Sequence, residues 1–121
     1  MPELFLSSGI TSVRDTGGAF WYVDSIRQNA LNHPKTHPRV KIAGPLIDGN
    51  FNVYNGSVLP ELSIRTQTVS ESIAETERLV AQGVDFLKAY EMLSPAQFEA
   101  IAGIAMRENL RLAGHVPLSM E

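Results

Sequence analysis

The 121-residue sequence contains no cysteine and no long run of apolar residues. Without cysteine there can be neither a disulfide framework nor a thiolate metal site, so any transition metal must be held by histidine, carboxylate or modified lysine. No apolar run approaches the ~20 residues that a membrane-spanning helix needs, and the N-terminal residues lack the charged and apolar regions of a signal peptide. We therefore expect no membrane partner, and among compartments the sequence favours the cytoplasm.

The sequence also lacks a strong charge of one sign. Its formal net charge is -3, and the acidic and basic residues are scattered along the chain. A nucleic-acid-binding surface needs a basic stripe, and attachment to anionic lipid needs a polybasic segment. We expect neither nucleic acid nor lipid as a partner.

Length sets a further limit. A chain of 121 residues can form one domain with a single core. It is well short of the ~250 residues of a complete (β/α)8 barrel. An architecture of that size can therefore be present only in part.

The first half of the chain alternates between strand and helix patterns. The β-branched segment 10–15 predicts a strand, and the spacing of Val23, Ile26 and Ala30 places three apolar residues on one helix face. Two His-Pro pairs within residues 33–38 end that helix, since each proline pushes the residue before it out of helical geometry. The predicted elements are a helix over 2–8 that Gly9 ends, a strand over 10–15, a helix over 19–32 and a strand over 40–43.

Residues 44–64 are rich in glycine, asparagine and proline. We interpret them as one loop, much longer than the median connection of ~4–6 residues. Loops of that length in compact domains are usually functional or disordered. This segment is therefore our candidate for a lid or substrate loop.

The second half has clearer helix boundaries. Thr68 and Glu71 have the spacing of a capping box, and Gly83 can supply the left-handed residue that ends the helix. Ser94 and Gln97 mark a second helix start, with a proline at the first helical position. The predicted elements are a helix over 68–82, a strand over 85–90, a helix from 95 with an apolar stripe of Phe98, Ile101, Ala102 and Ala105 that Asn109 ends, and a strand over 110–115.

Alternating strands and helices predict right-handed crossovers and a parallel sheet covered by helices, so the expected fold class is α/β. The alternation fits either an open sheet or an arc of a TIM (β/α)8 barrel. In both, ligands collect at the carboxyl ends of the strands. Asp15, the 44–64 loop, Tyr90 and His115 all fall there.

Lys88 is the residue of greatest interest, because it lies in the middle of a short strand that we expect to be buried on both faces. A strand lysine can snorkel to the surface, pair with a carboxylate such as Asp85 or Glu91, or serve as a ligand. His115 ends the last strand, where it can be a hydrogen-bonded histidine or a metal ligand. Tyr90 shares the face of Lys88 by the strand period of two, so it can donate to a substrate carboxylate or fill the wall of a barrel.

Other candidate residues have simpler explanations. Arg14 and Asp15 can orient a ligand, but an ion pair or a turn cap explains them as well. His33 and His37 have the spacing of helical metal ligands, but an intervening proline excludes a continuous helix face and favours a solvated loop. The glycine pair at 17–18 lacks the rest of a phosphate-binding motif, which favours a plain turn.

Four segments of the sequence together resemble the amidohydrolase superfamily, in particular its imidazolonepropionase-like and prolidase-like members. They are GITSVRDTGG at 9–18, AGP at 43–45, GVDFLKAY at 83–90 with LSP at 93–95, and AGHVP at 113–117. The resemblance spans nearly the whole chain in the right order. It implies a partial TIM (β/α)8 barrel of about four consecutive βα units, in which residues 1–121 form a single incomplete domain with the second to fifth strands.

The resemblance also implies a chemistry. Members of the superfamily use water activated by one or two divalent metal ions, often zinc, to hydrolyse an amide or related C–N bond. We therefore expect a small-molecule amide or peptide-like substrate. Two metal ions ~3.5–4 Å apart can share one hydroxide, lower its pKa and polarise the scissile carbonyl.

The resemblance assigns roles to two residues. Lys88 matches the fourth-strand lysine, which in two-metal members carries a carboxylate added from carbon dioxide and bridges the metals. Forming that carbamate needs a neutral amine, which burial favours. His115 matches the fifth-strand histidine ligand, and adjacent parallel strands ~4.8 Å apart allow two such ligands to converge.

The chain also departs from the family. A first-strand His-x-His pair, a sixth-strand histidine and an eighth-strand aspartate have no counterpart in it. We therefore expect a fragment of a longer enzyme that is inactive alone and whose unpaired sheet edges favour homo-oligomers or aggregation. The alternative from another class is a non-catalytic α/β module, either a flavodoxin-like ligand binder or an interaction protein.

Overall fold

The computed structural model describes residues 2–54 and 62–120. In chain order these residues form α1 (Pro2–Ser7), β1 (Ser12–Asp15), α2 (Phe20–Asn32), β2 (Arg39–Ile42), β3 (Leu46–Asp48), β4 (Ser63–Arg65), α3 (Val69–Ala81), β5 (Phe86–Ala89), α4 (Pro95–Arg107) and β6 (Arg111–Gly114), followed by a 3-10 turn at Leu118–Met120. All strand pairs in this part of the chain are parallel, which confirms the predicted α/β class. None of the described helices is long and apolar enough to cross a membrane.

The strands form an open arc within the described ranges. β1 pairs with β2, while β3 lies between β4 and β5, and β6 pairs with the far side of β5. The carbonyl of Ile42 accepts a hydrogen bond from the Asp85 N–H at 2.8 Å, and the carbonyl of Ile47 accepts one from the Tyr90 N–H at 3.0 Å. Both β2 and β3 therefore border β5, and the two short strands act as one. The arc runs from β1 through β2 and β3 to β5 and β6, and four of its strands, β1, β2, β5 and β6, are those that the sequence predicts.

A kink separates β2 from β3. Gly44 is buried and has a φ of +70°, a left-handed conformation that glycine adopts without steric cost. Pro45 follows, where the chain leaves the edge of β1 and begins to pair with β4. The three residues of β3 after this kink are all buried.

The prediction of one continuous loop over 44–64 is wrong. It contains β3 and β4, which pair in register from Leu46 with Ser63 to Asp48 with Arg65. Residues 49–54 do form a loop that belongs to the predicted segment. Residues 55–61 lie outside the described residues.

The predicted helix boundaries are confirmed. In α4, the Ser94 hydroxyl accepts from the Gln97 N–H at 3.3 Å and the Gln97 side chain accepts from the Ser94 N–H at 2.9 Å, a complete capping box. In α3, the Thr68 hydroxyl caps the Glu71 N–H at 3.2 Å, but the Glu71 carboxylate reaches one residue further back, to the N–H of Gln67. Gly83 ends α3 with a φ of +81°.

The core lies between the sheet and helices α3 and α4. Ile47, Leu79, Leu87 and Ile101 are fully buried in it, together with Ala89. Each large aliphatic side chain buried in this way contributes about 1.5–3 kcal/mol. The predicted apolar face of α2 is only partly buried, because Val23 and Ala30 point inward while Ile26 faces a surface cleft.

An ion-pair network joins α2 and the last residues of β2 to the start of β5. Asp85, just before β5, accepts hydrogen bonds from Lys41 Nζ at 2.8 Å, from Arg27 Nη1 at 3.0 Å and from the Ile42 N–H at 3.0 Å. Burial alone would raise the pKa of Asp85, but these hydrogen bonds outweigh it and hold the pKa below its ordinary value. The network fixes α2 and β2 against the start of β5.

Candidate functional site

Three neighbouring strands end at the same height. Ile47 of β3 is level with Ala89 of β5, and Ala89 is level with Gly114 of β6. The next residues along these three strands are Asp48, which closes β3, Tyr90 and His115. This edge, at the carboxyl ends of the strands, is where a parallel sheet collects its ligands.

The two faces of β5 have different surroundings. Leu87 and Ala89 point into the core against the helices. Phe86, Lys88 and Tyr90 alternate with them and so point to the opposite face. The Arg14 guanidinium from β1 lies 5.6 Å from the centre of the Phe86 ring, so residues of β1 and β5 meet on this side.

Lys88 is half-buried on that opposite face, rather than fully buried as the sequence led us to expect. Its Nζ lies 5.8 Å from the centre of the Tyr90 ring. Asp85 pairs instead with Arg27 and Lys41, and Glu91 contacts a histidine. Within the described residues, Lys88 therefore forms no ion pair with either carboxylate that the sequence offered.

His115 follows β6 at the rim of the arc. Its ring centre lies 4.6 Å from that of Tyr90, and its Nδ1 forms a 2.5 Å hydrogen bond with Oε1 of Glu91. The side chain is 48% exposed, so one edge of the imidazole faces solvent. The structure thus places His115 beside Tyr90, and Tyr90 beside Lys88.

Tyr90 is the buried centre of this group. Its ring contacts His115 on one side and Tyr54 on the other, with ring centres 5.8 Å apart in the second pair. A hydrogen bond with Tyr54 and burial of the hydroxyl raise the pKa of Tyr90 to about 12. The phenol is therefore protonated at neutral pH and retains its capacity to donate a hydrogen bond.

The remaining sequence candidates have structural roles. Asp15 accepts a hydrogen bond from the Gly17 N–H at 3.1 Å. It therefore caps a turn, which is one of the roles that the sequence allows for it. His33 and His37 lie in an exposed segment after α2, as the intervening proline predicts, with ring centres 5.4 Å apart. His37 contacts Asn29 through Nε2 at 3.0 Å.

The described residues do not complete a metal site. A catalytic zinc ion usually has three protein ligands, and no cluster of three or more histidine, aspartate or glutamate side chains lies among residues 2–54 and 62–120. Lys88 and His115, the two ligands that the resemblance predicts, lie on β5 and directly after β6, which are adjacent strands.

Two residues of this edge were missed by the sequence reasoning as members of the site. Tyr54 lies in the predicted lid segment, but no local pattern shows that its ring reaches Tyr90. Glu91 was considered only as a partner of Lys88. Its position directly after Tyr90, at the end of a strand, is the signal that could have paired it with a residue of the next strand.

Known structures show the same arrangement of elements. A prolidase complexed with N-methylphosphonate-L-proline superposes with a TM-score of 0.75 at 20% identity, over 94% of this chain and 34% of that chain. A Xaa-Pro dipeptidase with methionine bound in its active site gives 0.76 at 17% identity, over 95% and 34%. Ochratoxinase from A. niger gives 0.74 at 17% identity, over 95% and 34%.

At 17–20% sequence identity, these structural similarities show a shared fold. The chain spans about a third of the length of each of the three structures. No family model and no curated protein matches the sequence.

Proposed function

This chain has the fold of a segment of an amidohydrolase or prolidase barrel, and from that premise we propose that it forms part of a metal-dependent hydrolase. Residues 1–121 supply the second to fifth strands of the barrel. The reaction is the attack of water on an amide or related C–N bond. The substrate is a small amide or peptide-like molecule.

The observation that carries this proposal is the convergence of Lys88, Tyr90 and His115 at the carboxyl ends of β5 and β6. Lys88 is level with Ala113, so the lysine and the histidine lie on adjacent strands two positions apart in height. Tyr90 separates them, with ring contacts to both. The Lys88 amine has no carboxylate partner among the described residues, the His115 imidazole is exposed, and both border Tyr90, so these are the two groups that we assign to a divalent ion.

We assign Lys88, as a carboxylated lysine, and His115 as metal ligands. The Lys88 ammonium first loses one proton to give the neutral amine, whose nitrogen then forms a bond to carbon dioxide and releases a second proton. A cation thereby becomes an anion with two oxygen donors. When bound, one or two divalent ions, with zinc as the expected metal, supply activated water and polarise the carbonyl of the substrate. Tyr90 faces the same space and is assigned to substrate binding.

The proposed substrate class draws on the similar proteins. One of them holds a proline derivative and another holds methionine in its active site. Both ligands are small and resemble amino acids. We infer a substrate of that size, with one face against the rings of Tyr54 and Tyr90.

Zinc titration of the purified chain tests the ligand assignment. We expect weak binding that bicarbonate strengthens, since bicarbonate is in equilibrium with the carbon dioxide that Lys88 requires. His115→Ala should abolish the binding, and Lys88→Met should abolish only the effect of bicarbonate. His37→Ala removes a histidine that is remote from the site and is the matched control.

Two outcomes would count against the proposal. Equal zinc affinity of the wild-type chain and the His115→Ala variant would remove His115 from the ligand set. Tight, stoichiometric zinc binding together with turnover of Xaa-Pro dipeptides by the 121-residue chain would show that further strands are not needed.

The encoding locus distinguishes the enzyme from its rival. A His-x-His strand encoded upstream, with a histidine and an aspartate downstream, would complete the ligand set of a hydrolase. Their absence from the locus would favour the non-catalytic α/β module that binds a small ligand or a protein.

A further inference from the structure

Asp48 is a buried carboxylate that the proposed chemistry does not use. It is the last residue of β3 and is 0% exposed. An ionised carboxylate is costly to bury unless it is paired or fully hydrogen-bonded. No cationic side chain of the described residues pairs with it, and its oxygens accept backbone N–H groups instead.

The three donors to Asp48 come from two separate loops. Oδ1 accepts from the N–H of Gly49 at 2.9 Å and from the N–H of Met92 at 2.8 Å, while Oδ2 accepts from the N–H of Val53 at 2.8 Å. Met92 lies 44 residues away along the chain. One side chain therefore ties the loop after β3 to the loop after β5.

Two of the three anchored residues lie close in sequence to a ring or a carboxylate of the candidate site. Val53 directly precedes Tyr54, and Met92 lies two residues after Tyr90 and one after Glu91. We call the neighbouring, mutually tilted rings of Tyr54, Tyr90 and His115 the aromatic wall. The distances between these rings depend on how the loop after β3 and the loop after β5 are held.

A second observation supports this arrangement. A Cβ atom built on Gly49 would lie 1.7 Å from the carbonyl oxygen of Met92. The two loops thus touch backbone to backbone at the point where Asp48 joins them, and no residue larger than glycine fits at that place.

We propose that Asp48 is a positioning residue that holds the aromatic wall in place by clamping the loop after β3 to the loop after β5. That the wall faces a substrate rests on the proposed function. The clamp itself rests on the three hydrogen bonds and on the close approach at Gly49.

The chemistry of the clamp requires a carboxylate rather than an amide. Both oxygens of Asp48 accept, whereas asparagine offers one acceptor and one donor. In Asp48→Asn the amide oxygen is best placed at the Oδ1 position, where it meets two N–H groups. The amide NH2 then faces the N–H of Val53, so the loop that carries Tyr54 is released while Met92 stays bound.

Amide hydrogen exchange of the wild-type chain, read by mass spectrometry with fragmentation to single residues, is the first test. The N–H groups of Val53 and Met92 lie outside the strands, yet we expect them to be protected as well as the amides of β5. Exchange of Val53 and Met92 at the rate of exposed loop amides would overturn the proposal without any variant.

The variant Asp48→Asn is the second test. We expect exchange of Val53 to accelerate by about 10- to 100-fold, the loss of one hydrogen bond to a charged group, while exchange of Met92 changes little. Equal acceleration of both amides, or of neither, would refute the clamp.

Ser72→Ala is the matched control. Ser72 is as buried as Asp48 and belongs to a hydrogen-bonded network with Thr66 and Gln97. Thr66 also donates to the backbone carbonyl of Asp48, but Ser72 itself contacts neither loop nor the Asp48 carboxylate. Its removal should leave Val53 protected. Because exchange is measured without metal or substrate, a failed zinc titration would count against the proposed function alone, and failed protection of Val53 would count against the clamp alone.

Discussion

Replacement of Gly114 with alanine is expected to force β6 away from β5 and to displace His115. Gly114 is the last residue of β6 and pairs with Ala89. A Cβ atom at Gly114 would lie 2.2 Å from the carbonyl oxygen of Ala89 and 3.0 Å from its carbonyl carbon, whereas ordinary contact begins at 3.4 Å. The clashing atoms are backbone atoms of a fully buried strand residue, so they cannot swing aside, and the strands must part by about 1 Å.

The expected cost follows from these contacts. Overpacking a rigid interior typically costs about 1–3 kcal/mol. The hydrogen bond from the His115 N–H to the Ala89 carbonyl is already 3.4 Å long and would be lost, which adds about 0.5–1.5 kcal/mol. We expect the Gly114→Ala variant to lose about 2–4 kcal/mol of unfolding free energy, a large share of the ~5–15 kcal/mol that stabilises a typical domain.

Urea unfolding at one fixed chain concentration measures this loss, with Gly103→Ala as the control. Gly103 lies within α4, and a Cβ atom there would meet nothing within 4 Å. That change should raise the unfolding free energy by about 0.5–1 kcal/mol, the usual gain of alanine over glycine in a helix. A Gly114→Ala variant that unfolds at the wild-type urea concentration, while Gly103→Ala shifts as expected, would refute the close approach of β5 and β6.

Three further predictions concern acid stability, helix capping and association. The pKa of Asp85 is held below its ordinary 3.8, so the stabilising effect of its carboxylate is present above that pH and is lost as the pH falls through the lowered value. The Asp85→Asn variant should therefore be less stable at pH 7 and should lack this component of acid unfolding when unfolding is followed by circular dichroism. An unchanged acid transition would contradict the role of the network. Ser94→Ala should reduce the unfolding free energy by about 1 kcal/mol through loss of the α4 cap, and a variant as stable as the wild type in urea would show that the cap is not needed. Sedimentation velocity should show dimers or larger species, since β1 and β6 each pair on one side only within the described residues, and a monodisperse monomer that unfolds cooperatively would contradict this.

Local sequence signals predicted the helices because their information is contained within a few residues. The hydroxyls at Thr68 and Ser94, and the left-handed residues Gly83 and Asn109, set the ends of α3 and α4 wherever those helices pack. The apolar stripe through Ile101 similarly points to a core that any covering sheet would complete. Such signals need no knowledge of distant contacts.

The short strand β3 escaped prediction because its signal is not local. Its three residues lie between Gly44-Pro45 and Gly49-Asn50, a composition typical of turns. A strand of three residues is too short to show a period. Leu46 and Ile47 become strand residues only because β4 and β5 lie on either side of them.

Some parts of the candidate site likewise follow from local sequence, whereas others depend on distant contacts. Lys88 and Tyr90 share a face by simple alternation, and the position of His115 at the end of the next strand follows from the repeat of strand and helix. The clamp at Asp48 could not be predicted, since its donors are backbone N–H groups whose positions depend on the paths of two loops. Every residue type except proline has a backbone N–H, so the residue types in these loops do not reveal which N–H groups donate to Asp48.

The loop after β3 is held at Gly49 and again at Val53, and Phe51 between these two points is 77% exposed. A segment pinned at both ends tolerates new chemistry in its middle, because an exchanged side chain there leaves the tethers untouched. Substitution of Phe51 would thus change the exposed surface of this loop while its two anchoring hydrogen bonds stay in place. Position 51 is therefore a suitable place for substitutions that should leave both tethers intact.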